Sequence, residues 1–278
     1  MNSAVMTALH NDLAEATLAR DVLIRAAEAA GSAAMAFFRP GATTRARISY
    51  KAQNSPVTEA DYAADDAIRA IISAEMPDVA LFSEEMSDGT GRFTHARIVV
   101  VDPIDGTRAF IQGRDEWCVS IALLVKGVPV AGVIHAPARK ETFAAVRGAG
   151  ATLNGRPLPR LAPGTTPLRI TGPNRLVDTL TEHWPATTDG ETLRALAYRL
   201  ASVAAGRHDV GLATLGAHDW DIAAADLILT ETGCALRTLT GGSPVYNAAN
   251  PVHPALIAAE TVTAGLLLAA LAEAGVQA

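Results

Sequence analysis

The order of apolar patterns along the chain predicts an α/β (α+β) fold with sheets set between helical layers. Three observations carry that expectation. Residues 11–38 and the stretch after Thr58 place apolar side chains at helical spacing. Residues 79–82, 98–101, 117–125 and 128–135 are apolar runs of strand length. The alternation of helix and strand then resumes beyond a Pro- and Thr-rich stretch at 157–167.

The first helix is favoured by its Ala, Leu and Glu content. The second begins after Thr58, runs through Tyr62, Ile68, Ile71 and Ile72, and stops near Pro77. Val79-Ala80-Leu81-Phe82 and Ile98-Val99-Val100-Val101 read as short buried strands, with a two-glycine loop over 87–93 between them. Lys126-Gly127 divides the next two apolar runs and predicts a hairpin. Residues 143–146 and 151–153 continue the strands, and Asn154-Gly155 is a turn. The stretch at 157–167 separates an N-terminal α+β half, 1–160, from a C-terminal α/β half, 161–278. In the second half, 168–171 and 209–212 read as strands, and 191–205 and 221–232 as helices, the last closed by Gly233. The apolar run 261–272 is too short to span a bilayer and reads as a packed helix.

Composition narrows the function. Of 278 residues, 49% are hydrophobic and 19% charged, which suits a globular chain. A net charge of −6 without a basic run argues against nucleic-acid polymers and anionic membranes as partners. Cys118 and Cys234, the only cysteines, read as reduced, buried thiols of a cytoplasmic protein, since the N-terminus shows no secretion signal. An acidic chain that handles phosphate must reverse its field locally, and metal cations do so directly.

The chemistry concentrates at Val99-Val100-Val101-Asp102-Pro103-Ile104-Asp105-Gly106-Thr107. An apolar strand runs straight into two carboxylates, Pro103 holds the turn extended, and Gly106 frees the backbone before Thr107, a good N-cap. Such a junction offers hard oxygen ligands for Mg²⁺ beside the free amides of a helix start, which suit phosphate. Three further acidic clusters accompany it: Thr58-Glu59-Ala60-Asp61, Ser83-Glu84-Glu85 and Asp219-Trp220-Asp221. Each alone reads equally well as a helix cap or a solvated turn.

Together, the four motifs, from Val57-Thr58-x-x-Asp61 to Trp220-Asp221-x-Ala223-Ala224, resemble the signature of the inositol monophosphatase family. Gly132-Val133-Ile134 and the run from Gly148 to Gly155 resemble that family's middle sheet, and the likeness extends from about Lys51 to about Pro251. The resemblance implies a layered αβαβα sandwich and lithium-sensitive hydrolysis of a small-molecule phosphate monoester with two to three Mg²⁺ ions. It makes Glu84, Asp102, Asp105, Asp221 and the Ile104 carbonyl metal ligands, with Asp61 on a weaker third ion. Thr107, with Asp61 or Glu84, would orient and deprotonate the attacking water, and the amides of Gly106 and Thr107 would hold the phosphate. Asp221, Thr214 and His218 fall at the substrate. Similar proteins are often homodimers.

The substrate is read from finer features. Relatives acting on inositol monophosphate carry a Glu six residues before the motif Trp, where this chain has Thr214, and a hydroxyl cannot replace a carboxylate that accepts from two ring hydroxyls. Phe82-Ser83-Glu84-Glu85 and Pro244-Val245-Tyr246-Asn247 resemble the 3′(2′),5′-bisphosphate nucleotidase branch, which points to removal of the 3′-phosphate of adenosine 3′,5′-bisphosphate. Trp117-Cys118-Val119-Ser120 departs from that branch. Inositol 1-phosphate is the alternative, followed by histidinol phosphate, whose enzymes share Asp105 to Phe110. A non-catalytic phosphate-binding regulator is the reading from a different class. Among other polar residues, Arg108, Arg114, Arg139 and Lys51 are candidate phosphate or rim contacts, whereas His135, His208, Tyr246 and Asn247 suit structural roles equally well or better.

Overall fold

The computed structural model of the chain describes residues 3–51, 54–86, 90–187 and 193–273. It opens with α1 (Ser3–Met35), a two-stranded ribbon of β1 (Ile48–Tyr50) and β2 (Pro56–Thr58), and α2 (Glu59–Glu75). A seven-stranded sheet follows in chain order: β3 (Ala80–Ser83), β4 (Arg97–Asp105), β5 (Cys118–Val125), β6 (Val128–Ala136), β7 (Glu141–Val146), β8 (Gly150–Leu153) and β9 (Arg156–Pro157). The short α3 (Thr107–Ile111) lies between β4 and β5. β3 and β4 are parallel, and the remaining neighbours antiparallel.

The second sheet draws on β10 (Leu168–Thr171), α4 (Asn174–His183), β11 (Ala186–Thr187), α5 (Leu196–Ala204), β12 (Val210–Ala213), β13 (Ala217–His218), α6 (Asp219–Glu231), β14 (Cys234–Thr238), β15 (Val252–His253), β16 (Leu256–Glu260) and α7 (Thr261–Glu273). Its five strands lie in the order β11-β10-β12-β16-β14, and β13 pairs with β15 apart from it.

The period-two alternation of the strands sorts their side chains into layers. Val99, Val101, Val119, Ile121, Leu123 and Val133 face Leu23, Ala27, Ala64 and Ile68 of α1 and α2. Their neighbours Ile98, Val100, Ala122, Leu124 and Ile134 face α5 and α6, which also cover Leu236, Leu256 and Ala258 of the second sheet. The other face of that sheet packs Ile170, Val210, Leu212 and Ile257 against α4 and α7 through Val177, Leu180, Leu267 and Leu271. The result is the αβαβα sandwich. α6 approaches the first sheet closely because Gly132 carries no side chain: a Cβ there would lie 3.0 Å from Cα of Ala224.

Several segments differ from expectation for local reasons. The first helix ends at Met35 rather than 38. The 191–205 helix begins only at Leu196, and residues 191–192 lie outside the described residues. Its start is set by Asp105, which accepts from the amides of Leu196 (3.0 Å) and Ala197 (2.6 Å), a cap supplied from another part of the fold. The last motif helix starts at Asp219, two residues early. Within the 87–93 loop, residues from Thr90 onward form a short 3₁₀ turn, and 87–89 lie outside the described residues. β14 and β16 are buried almost throughout, so they lack the alternation that marks a half-exposed strand.

Candidate active site

Four chain segments converge on one cleft. β3 and β4 run parallel and end side by side, so Glu84, just past β3, comes beside Asp102 near the end of β4, and the Glu84 amide donates to the Val101 carbonyl (3.1 Å). The register of β4 against β5 shifts between Asp102 and Asp105, a bulge that accommodates Pro103 within the strand. The Asp102 carboxylate accepts from the Ile104 amide (3.0 Å), which fixes its rotamer. Gly106 follows with φ +91°, a left-handed conformation where a side chain would also crowd Ala195. Gly106, not Thr107, therefore occupies the N-cap of α3, against the sequence expectation. The Thr107 hydroxyl is instead shared between the Ile104 carbonyl (3.1 Å) and Asp61 Oδ1 (3.3 Å).

Asp61 and Asp221 occupy the same position, three residues past the N-cap of α2 and of α6, and each closes a capping box. Asp61 Oδ2 accepts from the Thr58 amide (2.8 Å) and hydroxyl (2.7 Å). Asp221 Oδ2 accepts from the His218 amide (2.6 Å). The capping reading of these acids therefore holds, and the cap leaves Asp221 in the cleft lining.

Oxygens of Asp102, Asp105 and Asp221 lie within 4.8 Å of one another. Glu84, Ile104, Gly106 and Thr107 line the same cleft of about 450 Å³. Glu84 stands slightly apart, its Oε1 held by Lys51 Nζ at 3.0 Å, and Lys51 also grips Glu85 at 2.6 Å. Asp61 sits behind Thr107 rather than in the triad.

Burial, reinforced by the neighbouring carboxylates, pushes Asp102 and Asp221 well above the usual carboxylate range. Burial likewise raises Asp105 to about 6, although two amides and Arg199 oppose it. Asp61 is raised to about 6 by burial, and Glu85 to about 7 despite Lys51. Crowded, dehydrated carboxylates are costly unless cations join them. An all-oxygen donor set of this kind fits a hard divalent cation such as Mg²⁺.

Other expected contacts separate. Thr214 is exposed beyond β12, outside the cleft lining. His218 stacks on Trp220 (4.6 Å, 5°), its Nδ1 3.8 Å from Asp221. Arg108 lines the cleft, whereas Arg114 pairs with Glu116 and Arg139 with Asp115. Lys51 reaches Glu84 without itself lining the cleft. Tyr246 donates to Asp226 (2.8 Å), Asn247 accepts from Arg92, His135 meets Thr142 (2.9 Å) and His208 meets Ser202 (2.8 Å), all structural contacts. Cys118 and Cys234 are buried and free.

Sequence reasoning missed Arg194, Arg199 and Asn174, which line the cleft from the second half. Arg199 is buried and donates to the carbonyls of Leu193 and Leu212. A charged residue amid the apolar face of 196–204 was the available signal.

The chain matches the model of the inositol monophosphatase family over residues 19–275. It is 36% identical over 226 residues to a histidinol-phosphatase of Chlorobaculum parvum, covering 75% of this chain and 85% of that protein. It is 33% identical over 247 residues to an inositol-1-monophosphatase of Mesorhizobium japonicum, covering 82% and 88%. Its fold is similar to the crystal structure of the extragenic suppressor protein suhB from Bartonella henselae, with a TM-score of 0.77, 29% identity and coverage of 90% and 97% of the two chains.

Proposed function

The chain belongs to the inositol monophosphatase family, a family of metal-dependent phosphatases, and from that premise we propose that it removes the 3′-phosphate of adenosine 3′,5′-bisphosphate, with two to three Mg²⁺ ions. One observation carries the hydrolytic reading. Asp102 and Asp105 from one strand end and Asp221 from a distant helix bring oxygens within 4.8 Å, in a cleft shared with Glu84 and Thr107.

The residues divide the work. Asp102, Asp105, Asp221, Glu84 and the Ile104 carbonyl would hold the cations, and Asp61 would contribute to the weakest ion. Bound there, Mg²⁺ supplies Lewis-acid chemistry: it neutralises the phosphate and lowers the pKa of water. The backbone at Gly106 and Thr107 positions the phosphate oxygens. Thr107, held by Asp61, accepts a hydrogen bond from the attacking water and orients it in line with the ester bond. Asp61, whose carboxyl burial raises to about 6, takes up the proton in its ionised form through that hydroxyl.

Thr214 weighs against inositol 1-phosphate, because no carboxylate stands at that position to accept from ring hydroxyls. The nucleotide is favoured by the resemblance of Phe82-Ser83-Glu84-Glu85 and Pro244-Val245-Tyr246-Asn247 to the 3′(2′),5′-bisphosphate nucleotidase branch. The test is phosphate release from adenosine 3′,5′-bisphosphate, inositol 1-phosphate and histidinol phosphate, with Mg²⁺ and then with EDTA. A preference for the nucleotide of about a hundredfold in kcat/KM is expected. Preference for either other ester overturns the assignment, and no Mg²⁺-dependent release from any of them returns the chain to the non-catalytic, phosphate-binding reading.

A further inference from the structure

The cleft lining carries both signs of charge. Glu84, Asp102, Asp105 and Asp221 supply the carboxylates. Arg108 on α3 and Arg194, two residues before α5, line the same cleft, as does Asn174. Both arginines are exposed, and their partners are neutral. Arg194 donates to the Gln112 side-chain oxygen (2.8 Å) and Arg108 to the Asn54 carbonyl (3.4 Å). Neither has a carboxylate within ion-pair distance among the described residues. What sets these two apart is their place: in a chain with net charge −6, both line the cleft that holds the acidic triad.

Charge balance gives them a task. The cleft lining carries four carboxylates against three guanidiniums, counting Arg199. On the metal-dependent reading, two divalent ions turn that excess of one negative charge into about three positive charges. A monoester dianion takes up two of them, which leaves about one positive charge of surplus in the cleft lining. Arg194 is also held in place relative to the metal ligands. Asp105 binds the amides of Leu196 and Ala197, so the segment bearing Arg194 is tied directly to a triad carboxylate.

We infer that Arg194 and Arg108 form a second anion subsite, selecting esters whose leaving alcohol carries another phosphate or a carboxylate. The inference rests on the phosphatase reading and deepens it, since it names a substrate class wider than the nucleotide. Guanidinium forks suit both groups through paired hydrogen bonds. A neutral polyol gains nothing from these guanidiniums, and a leaving group bearing an ammonium is repelled by them.

Two pairs of esters test the subsite, each differing in the second anion: adenosine 3′,5′-bisphosphate against adenosine 3′-monophosphate, and 2-phosphoglycerate against glycerol 2-phosphate. The wild type should favour the more charged member of at least one pair by about tenfold or more in kcat/KM, mostly through KM. That preference should shrink as salt rises from about 20 to about 300 mM. R194A should cut the ratio at least about fivefold, R194K should restore part of it, and R194A/R108A should bring it close to one. A purely structural role for Arg194 would lower both members of a pair alike and leave the ratio unchanged, which overturns the inference. Calorimetric binding of adenosine 5′-monophosphate and 2-phosphoglycerate gives a readout independent of turnover. Weakening of either by about fivefold or more in R194A/R108A supports the subsite, and unchanged binding of both overturns it. If the nucleotides are inert while the glycerate pair shows the arginine-dependent preference, the subsite stands and the nucleotide assignment falls. If the nucleotides are hydrolysed and neither pair shows that preference, the assignment stands and the subsite falls.

Discussion

Thr107 shows how much one side chain depends on its neighbours. Its hydroxyl lies 3.3 Å from Asp61 and 3.1 Å from the Ile104 carbonyl, so a methyl group cannot take its place. Thr107→Ala should lower Mg²⁺-dependent phosphate release by about 10²–10⁴-fold, while Thr107→Ser recovers most of it, as steady-state rates will show. Asp102→Asn and Asp221→Asn should abolish most of the Mg²⁺-dependent rate, because the loss of one ligand removes several kcal/mol of charge stabilisation. In the absence of metal, both variants should melt at a temperature equal to or above that of the parent, because each removes a crowded carboxylate. Thermal melts with EDTA would decide this, and a lower melting temperature would show the acids to be structural. At this scale the motif acids were legible because carboxylates at strand and helix ends recur in a set. Arg194 was not, because a single arginine before a helix carries no pattern.

Secondary-structure elements bring those residues together by close packing. α6 carries Asp221 and lies against the first sheet where Gly132 meets Ala224. Gly132→Val should cost about 1–3 kcal/mol of stability through overpacking. It should also weaken Mg²⁺ binding, since α6 cannot shift without moving Asp221 away from Asp102. Denaturant melts and Mg²⁺ titration measure the two effects separately, and undiminished Mg²⁺ affinity would show that α6 tolerates the shift. Most elements could be read from period and turn chemistry: Asn154-Gly155 and Lys126-Gly127 turn with positive φ as their sequences suggest. The start of α5 could not, because its cap is the carboxylate of Asp105, 91 residues away along the chain from Leu196. The fully buried β14 and β16 were hidden for another reason, since a strand apolar on both faces has no alternation to detect.

For the molecule as a whole, the acidic cleft couples stability to metal and pH. Asp105 and Asp61 have their carboxyl pKa raised from 3.8 to about 6. The folded chain therefore retains protons there that the unfolded chain has released. Their contribution to metal-free stability is full below about pH 4 and is lost as pH rises through about 6. Saturating Mg²⁺ should then raise the melting temperature more at about pH 8 than at about pH 5, and an equal gain at both would contradict this origin. No helix among the described residues is long and apolar enough to cross a membrane, in keeping with the short apolar run at the C-terminal end. The sequence alone determined the α/β class, most elements and the acids of the candidate metal site, because periodicity and motif spacing are local quantities. Only the tertiary structure decided that Gly106 caps α3, that Asp61 stands behind Thr107, and that Arg108 and Arg194 line the same cleft as the carboxylates. Those relations join segments far apart in the chain, and distance through space is fixed by how layers pack, which no local pattern records.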